Sequence, residues 1–105
     1  NNYCMDPISL EEQITKKTKA IIPVHFAGSS CDMIKIKKIA NKFNLKIIED
    51  CSQAHGSKYF KKKLGSFGDI STCSFFPAHH MTMGEGGFIA TDNNKIRKVV
   101  ASIRD

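Results

Sequence analysis

The chain has 105 residues, enough for one small domain. Its apolar content of 41% is ordinary for a globular protein, and no apolar run is long enough for a transmembrane span or a signal peptide. The net charge of +6 raises nucleic-acid binding, but the lysines are spread over helical and turn segments, Trp is absent and no RNA-binding motif occurs.

The first element expected is a short helix over Ser9 to Lys17, with Ser9 as N-cap and Glu12 three residues on as its capping-box partner. Lys19 to His25 is an apolar run of strand length. Gly28-Ser29-Ser30 reads as a loop. Asp32 then caps a helix running to about Phe43, with Met33, Ile36, Ala40 and Phe43 on one face and Asn44 near its end. Leu45 to Glu49 is a second strand, and its continuous Ile47-Ile48 suits a sheet covered on both faces. Tyr59 to Leu64 reads as a small hairpin around Lys61-Lys62-Lys63. Asp69 to Phe76 and Gly87 to Thr91 are strands, and Asn94 to Arg104 is a helix. Strands alternating with helical crossovers imply an α/β fold with a mostly parallel sheet flanked by helices. The chain starts at Asn1 rather than Met and stops inside a helical pattern, so we expect a fragment of a longer protein.

The four cysteines, Cys4, Cys31, Cys51 and Cys73, form no CxxC pair. Free, buried thiols are the plain reading. Cys51 and His55 are four apart and could share a helix face, but two ligands make no metal site, and no metal is expected.

Two segments fall at carboxyl ends of strands, where open α/β sheets bind ligands. The first is Glu49-Asp50-Cys51-Ser52-Gln53. The second is Ser74-Phe75-Phe76-Pro77-Ala78-His79-His80, followed by Gly84-Glu85-Gly86-Gly87. Paired histidines flanked by Pro and Gly suit a ligand loop rather than a packed strand. Neither segment is a GxGxxG or Walker loop. A carboxylate such as Asp50 at the end of a buried strand is either a turn or cap residue or the counter-ion of a cationic group. A cofactor's protonated ring nitrogen is one such group.

Several motifs, in order along nearly the whole chain, resemble the DegT/StrS family of sugar aminotransferases. They are Pro23-Val24-His25-Phe26-Ala27-Gly28, Cys31-Asp32-Met33, Ile48-Glu49-Asp50-Cys51-Ser52-Gln53-Ala54-His55-Gly56, Gly65-Ser66-Phe67-Gly68-Asp69-Ile70, Ser74-Phe75-Phe76-Pro77 and Gly84-Glu85-Gly86-Gly87. The resemblance implies a fold-type-I pyridoxal phosphate (PLP) enzyme acting on nucleotide-linked 4-keto sugars. Residues 1–105 would form the central part of its PLP-binding large domain, without the upstream phosphate loop or the C-terminal small domain. It implies cofactor contacts from Asp50 to the pyridine nitrogen, from Gln53 beside the 3-oxygen and from Ser74 to the phosphate.

The family's lysine, which bonds covalently to the cofactor, would stand five residues after Ser74 and 29 after Asp50. Here that residue is His79. Imidazole forms no stable imine with an aldehyde, and Lys63 belongs to a different segment. A non-covalently held cofactor, pyridoxamine 5'-phosphate (PMP), is implied, with His79 as a proton carrier. The run from Pro77 to Gly87 is similar to the histidine-bearing subgroup typified by CDP-4-keto-6-deoxyglucose 3-dehydratases of lipopolysaccharide O-antigen synthesis. C3 dehydration with His79 as base is therefore the leading expectation. The alternatives are a nucleotide-sugar transaminase of the same family and a non-catalytic basic binding module. In the iron–sulfur members of that subgroup a cluster cysteine stands two residues after the aspartate. Ser52 occupies that place here, which argues against a 2Fe-2S cluster. The resemblance further implies a cytoplasmic homodimer with a nucleotide-sugar substrate, no nucleic acid and no membrane. His80 is expected to support the site from behind, and His25 and His55 to be packing or polar-satisfied residues.

Overall fold

A computed structural model of the chain describes residues 2–104. The first helix, α1, spans Pro7–Gln13 rather than Ser9 to Lys17. Asp6 is its N-cap, accepting from Ser9 N–H at 2.9 Å, and Pro7 occupies the first turn. Pro is pre-set for that position and needs no N–H there, so the Asp-Pro pair outcompetes the Ser9–Glu12 box. The helix stops early because Thr15 and Thr18 engage each other and the local backbone in a turn.

The second expected element is shorter too. Strand β1 is only Ala20–Ile21, since Pro23 has no N–H for a ladder. Its continuation contributes carbonyls instead: Pro23 accepts from Asp50 N–H, and Val24 bridges to Asp50. A 3₁₀ turn follows over Phe26–Gly28, with Ala27 in the left-handed region at φ 49°. Helix α2 spans Met33–Phe43 as expected. Asp32 caps its start by accepting from Lys35 N–H, and Asn44 ends it in the left-handed conformation at φ 52°. Met33, Ile36, Ile39 and Ala40 form its buried face; Phe43, expected there, is exposed, and Ile39 takes its share.

Strand β2, Lys46–Asp50, lies one residue later than expected and therefore includes Asp50. The hairpin β3 (Lys58–Tyr59) and β4 (Lys62–Lys63) is present. Strands β5 (Ile70–Ser74) and β6 (Gly87–Ala90) follow, then helix α3, Asn94–Arg104. The main sheet has the order β1-β2-β5-β6. The first two pairings are parallel and β5–β6 is antiparallel, the single departure from the parallel pattern. Ile21, Cys31, Met33, Ile36, Ala40 and Ile47 form the core between α2 and the sheet. No helix among the described residues is long and apolar enough to cross a membrane.

Candidate functional site

Parallel pairing sets Asp50 beside Thr72, so β2 and β5 end on the same edge of the sheet. Ser52 joins the two ends. Its N–H donates to Asp50 Oδ1 at 2.9 Å, and its hydroxyl oxygen accepts from Ser74 N–H at 3.1 Å. The first bond is an Asx-type turn, so the plain reading of Asp50 as a turn residue holds for one carboxylate oxygen. The other oxygen has no hydrogen bond among the described residues. Gln53 is held by the loop after β1, where Ala27 N–H donates to its Oε1 at 3.1 Å. That assignment directs the Gln53 amide hydrogens away from Ala27. Ser74 Oγ accepts from Phe76 N–H at 3.2 Å, which leaves its own hydrogen to donate. The edge therefore presents a spare carboxylate oxygen, an amide donor and a hydroxyl donor.

These three fit the group that the sequence points to. A protonated ring nitrogen needs an anionic acceptor, a phenolate-like 3-oxygen needs a donor, and a phosphate oxygen needs a donor. Asp50, Gln53 and Ser74 carry an anionic acceptor, an amide donor and a hydroxyl donor, in that order.

His79 stands on the next loop. Its N–H closes a turn on the Phe76 carbonyl, and the Phe76 and His79 rings meet edge-on with centroids 6.3 Å apart. Its Nδ1 is buried and has no hydrogen-bond partner among the described residues. No hydrogen bond joins His79 to Asp50, Gln53 or Ser74 among the described residues. The loop is closed at its base by Phe75 N–H to Gly86 O and Met83 N–H to Phe75 O. A Cβ on Gly87 would lie 2.6 Å from the Cys73 carbonyl oxygen, so only glycine lets β6 approach β5 this closely. His80 is exposed and lies against Gly28. A cleft of about 770 Å³ opens nearby, lined by Ser52, Thr72, Ser74, Phe88, Val100 and Ile103 among others. It reaches Ser52 and Ser74 but neither Asp50 nor His79.

Behind the edge lies a buried polar cluster that the sequence did not reveal. His25 and Glu49 are both fully buried and 3.1 Å apart. Glu49 also accepts from the N–H groups of Gly65, Phe67 and Gly68 at 2.6–2.7 Å. Burial pushes the Glu49 carboxyl upward, but the His25 bond and the Gly68, Gly65 and Phe67 amides outweigh it and hold the group below the usual glutamate range. Gly68 is required by proximity, since a Cβ there would lie 2.8 Å from the Ile47 carbonyl oxygen.

Cys51 lies against this cluster. Burial first, then the charge of Glu49, pushes its thiol up to about 12. His25, Glu49 and Cys51 come within 4.8 Å of one another. The set makes a poor metal site: both His25 nitrogens and both Glu49 oxygens are already hydrogen-bonded. The Cys51–His55 helix face does not form, because residues 51–57 are turns. His55 instead stacks on Phe75 at 5.6 Å and places Nδ1 3.3 Å from Cys73 Sγ.

Residues 1–105 match the family model described as the DegT/DnrJ/EryC1/StrS aminotransferase family. The chain belongs to this family. The lipopolysaccharide biosynthesis protein RfbH of Salmonella typhimurium is 44% identical over 103 residues, covering 98% of this chain and 24% of RfbH. GDP-perosamine synthase of Escherichia coli O157:H7 is 49% identical over 92 residues, covering 88% of this chain and 25% of the synthase. The E. coli GDP-4-keto-6-deoxy-D-mannose-3-dehydratase structure with bound hydrated PLP matches with a TM-score of 0.88 at 35% identity. That match covers 99% of this chain and 27% of the dehydratase. The chain thus spans about a quarter of the length of these relatives, which include a synthase and a dehydratase.

Proposed function

We propose that the chain is the central part of the large domain of a PLP/PMP-dependent enzyme that dehydrates C3 of a nucleotide-linked 4-keto-6-deoxy sugar. What supports this reading is His79, which stands where the family resemblance implies the cofactor lysine and whose buried Nδ1 has no partner among the described residues. The chemistry the cofactor supplies when bound is an amine for the C4 ketone and a pyridine ring that accepts an electron pair. Asp50 would pair with the ring nitrogen and keep it protonated. Gln53 would donate to the 3-oxygen and the Ser74 hydroxyl to the phosphate. His79 would take a carbon-bound proton onto its imidazole, and the C3 hydroxyl would leave as water. A homodimer located in the cytoplasm accompanies this reading.

The test uses full-length protein, PMP and GDP-4-keto-6-deoxymannose, with the product analysed by mass spectrometry and NMR. The expected product has lost the C3 hydroxyl, and borohydride treatment leaves no lysine adduct. His79→Asn should slow dehydration by about 100-fold or more while PMP still binds. A product that keeps the C3 hydroxyl and gains an amine at C4, or a trapped lysine, would refute dehydration. Failure to take up PMP at all would favour a binding module.

A further inference from the structure

We propose that His25 and Glu49 are positioning residues for the cofactor-binding edge. Their buried pair holds the loop that carries Ala27 against the strand that carries Asp50. This rests on the functional reading above, because it concerns the same site.

The protonation states follow from the hydrogen bonds. Cys31 N–H donates to His25 Nδ1 at 3.2 Å, so that nitrogen carries no proton. The ring proton is therefore on Nε2, where it is donated to Glu49 Oε2. His25 is a neutral imidazole. The Glu49 carboxylate consequently has no cation beside it among the described residues. Four N–H donors replace one: His25 Nε2 and Gly65 on Oε2, and Phe67 and Gly68 on Oε1. All four acceptor positions are filled.

A buried carboxylate without a counter-ion is an expensive way to fill a core, and apolar residues of similar volume often do better. What it supplies is direction. The donors come from three separate points of the chain, at residues 25, 65 and 67–68, and each must arrive at a fixed angle. The consequence for the site runs through the backbone. Asp50 N–H donates to Pro23 O at 3.0 Å, and His25 N–H donates to Asp50 O at 3.1 Å. Two residues past His25, Ala27 N–H holds Gln53. Ala27 does this from the left-handed region, which a non-glycine residue keeps only when its surroundings impose it. The segment pinned by the His25 ring thus sets the places of both Asp50 and Gln53.

Two substitutions separate the pairing from general packing. His25→Gln can set an amide N–H where Nε2 was, keeping the donor to Glu49. His25→Asn can set an oxygen where Nδ1 was, keeping the acceptor for Cys31 but losing Glu49. PMP would be titrated onto full-length wild type and both variants, with folding checked by far-UV circular dichroism. His25→Asn is expected to weaken PMP binding by about tenfold, and His25→Gln by less than about threefold. Equal affinities, or equal losses, would overturn the assignment. If a variant does not fold, hydrogen exchange on the wild type decides. PMP should slow exchange in the segments 25–31 and 65–69 together, and protection of the first without the second would overturn it. A wild-type protein that takes up no PMP would overturn the functional reading, and this inference with it.

Discussion

Asp50, Gln53 and Ser74 stand at the edge of a segment whose parts are locked together, whereas His79 stands on one in which no described residue is buried as a whole. From β1 to β5 the segment has the α2 core, the parallel ladder and the saturated Glu49 carboxylate. From residue 75 to residue 104 the described residues are half-buried or exposed, although the Nδ1 atom of His79 is shielded. The His79 loop is held by its backbone: the β5–β6 ladder, the Phe75–Gly86 and Met83–Phe75 bonds, and the close contact at Gly87. Under the proposed function, holding a cofactor and moving a proton fall to differently supported parts of one site, and substitutions should separate them.

The largest effect is expected in the locked part. Glu49→Gln replaces one acceptor oxygen by an amide that faces the Gly65 N–H and the His25 ring. Leaving buried donors unsatisfied costs about 1–3 kcal/mol each, so a loss of about 3 kcal/mol is expected in urea denaturation at pH 7. The pH dependence has a definite sign. The folded-state pKa of Glu49 lies below its ordinary value of 4.5. Its contribution is therefore complete above that value and is lost as pH falls through the lower, folded-state one. The gap between wild type and Glu49→Gln should narrow below about pH 4.5. A constant gap down to pH 3 would show that the carboxylate's charge is not what matters.

Gly68→Ala and Gly87→Ala form the next pair. Each forces a methyl into a backbone carbonyl, at Ile47 and at Cys73 respectively, with a cost of about 1–3 kcal/mol. Their functional signatures should differ. Gly68→Ala disturbs the turn on Glu49 and should weaken PMP binding. Gly87→Ala displaces the base of the His79 loop and should lower kcat by about tenfold or more with PMP affinity retained. If both weaken PMP binding alike, the two parts are not separable.

Local signals in the sequence carried much of the fold. The Asp32 cap, the Asn44 stop, the hairpin and α3 were legible because each depends on residues within one or two turns. The start of α1 was missed because Asp6-Pro7 is a stronger cap than Ser9. The length of β1 was missed because Pro23 interrupts the ladder while its carbonyl still takes part. For the site, Asp50, Gln53, Ser74 and His79 could be named from the family resemblance, and the structure leaves an unused oxygen on Asp50, amide hydrogens on Gln53 and a hydroxyl hydrogen on Ser74. The partners of Glu49 could not be named, since they lie 16 to 24 residues away and three of them are backbone amides. Ser52 drew notice only as a missing cysteine, although its hydroxyl joins the two strand ends.

That bond gives a smaller prediction. Ser52→Ala leaves Ser74 N–H without its acceptor, for about 1 kcal/mol of stability. If Ser74 holds the phosphate as proposed, PMP affinity should fall by a few-fold, and Ser52→Cys should recover part of it. An unchanged affinity in Ser52→Ala would show that the strand ends hold their spacing without this link.

The smallest effect belongs to α3. Ile103 is 79% exposed and Val99 57% exposed, and a substitution on such a surface changes stability by at most about 0.5 kcal/mol. Ile103→Ala in the full-length protein should therefore leave its denaturation midpoint in place. This measurement bears on the contrast between the two parts more directly than the larger ones do. Truncating a buried isoleucine costs about 2–5 kcal/mol, so a loss in that range would show that α3 is covered. The looser support of the His79 loop would then be a property of residues 75–104 taken alone. No change would mean that the proposed proton carrier, His79, stands on a surface hairpin anchored at Gly87, beside a proposed cofactor edge anchored at Glu49.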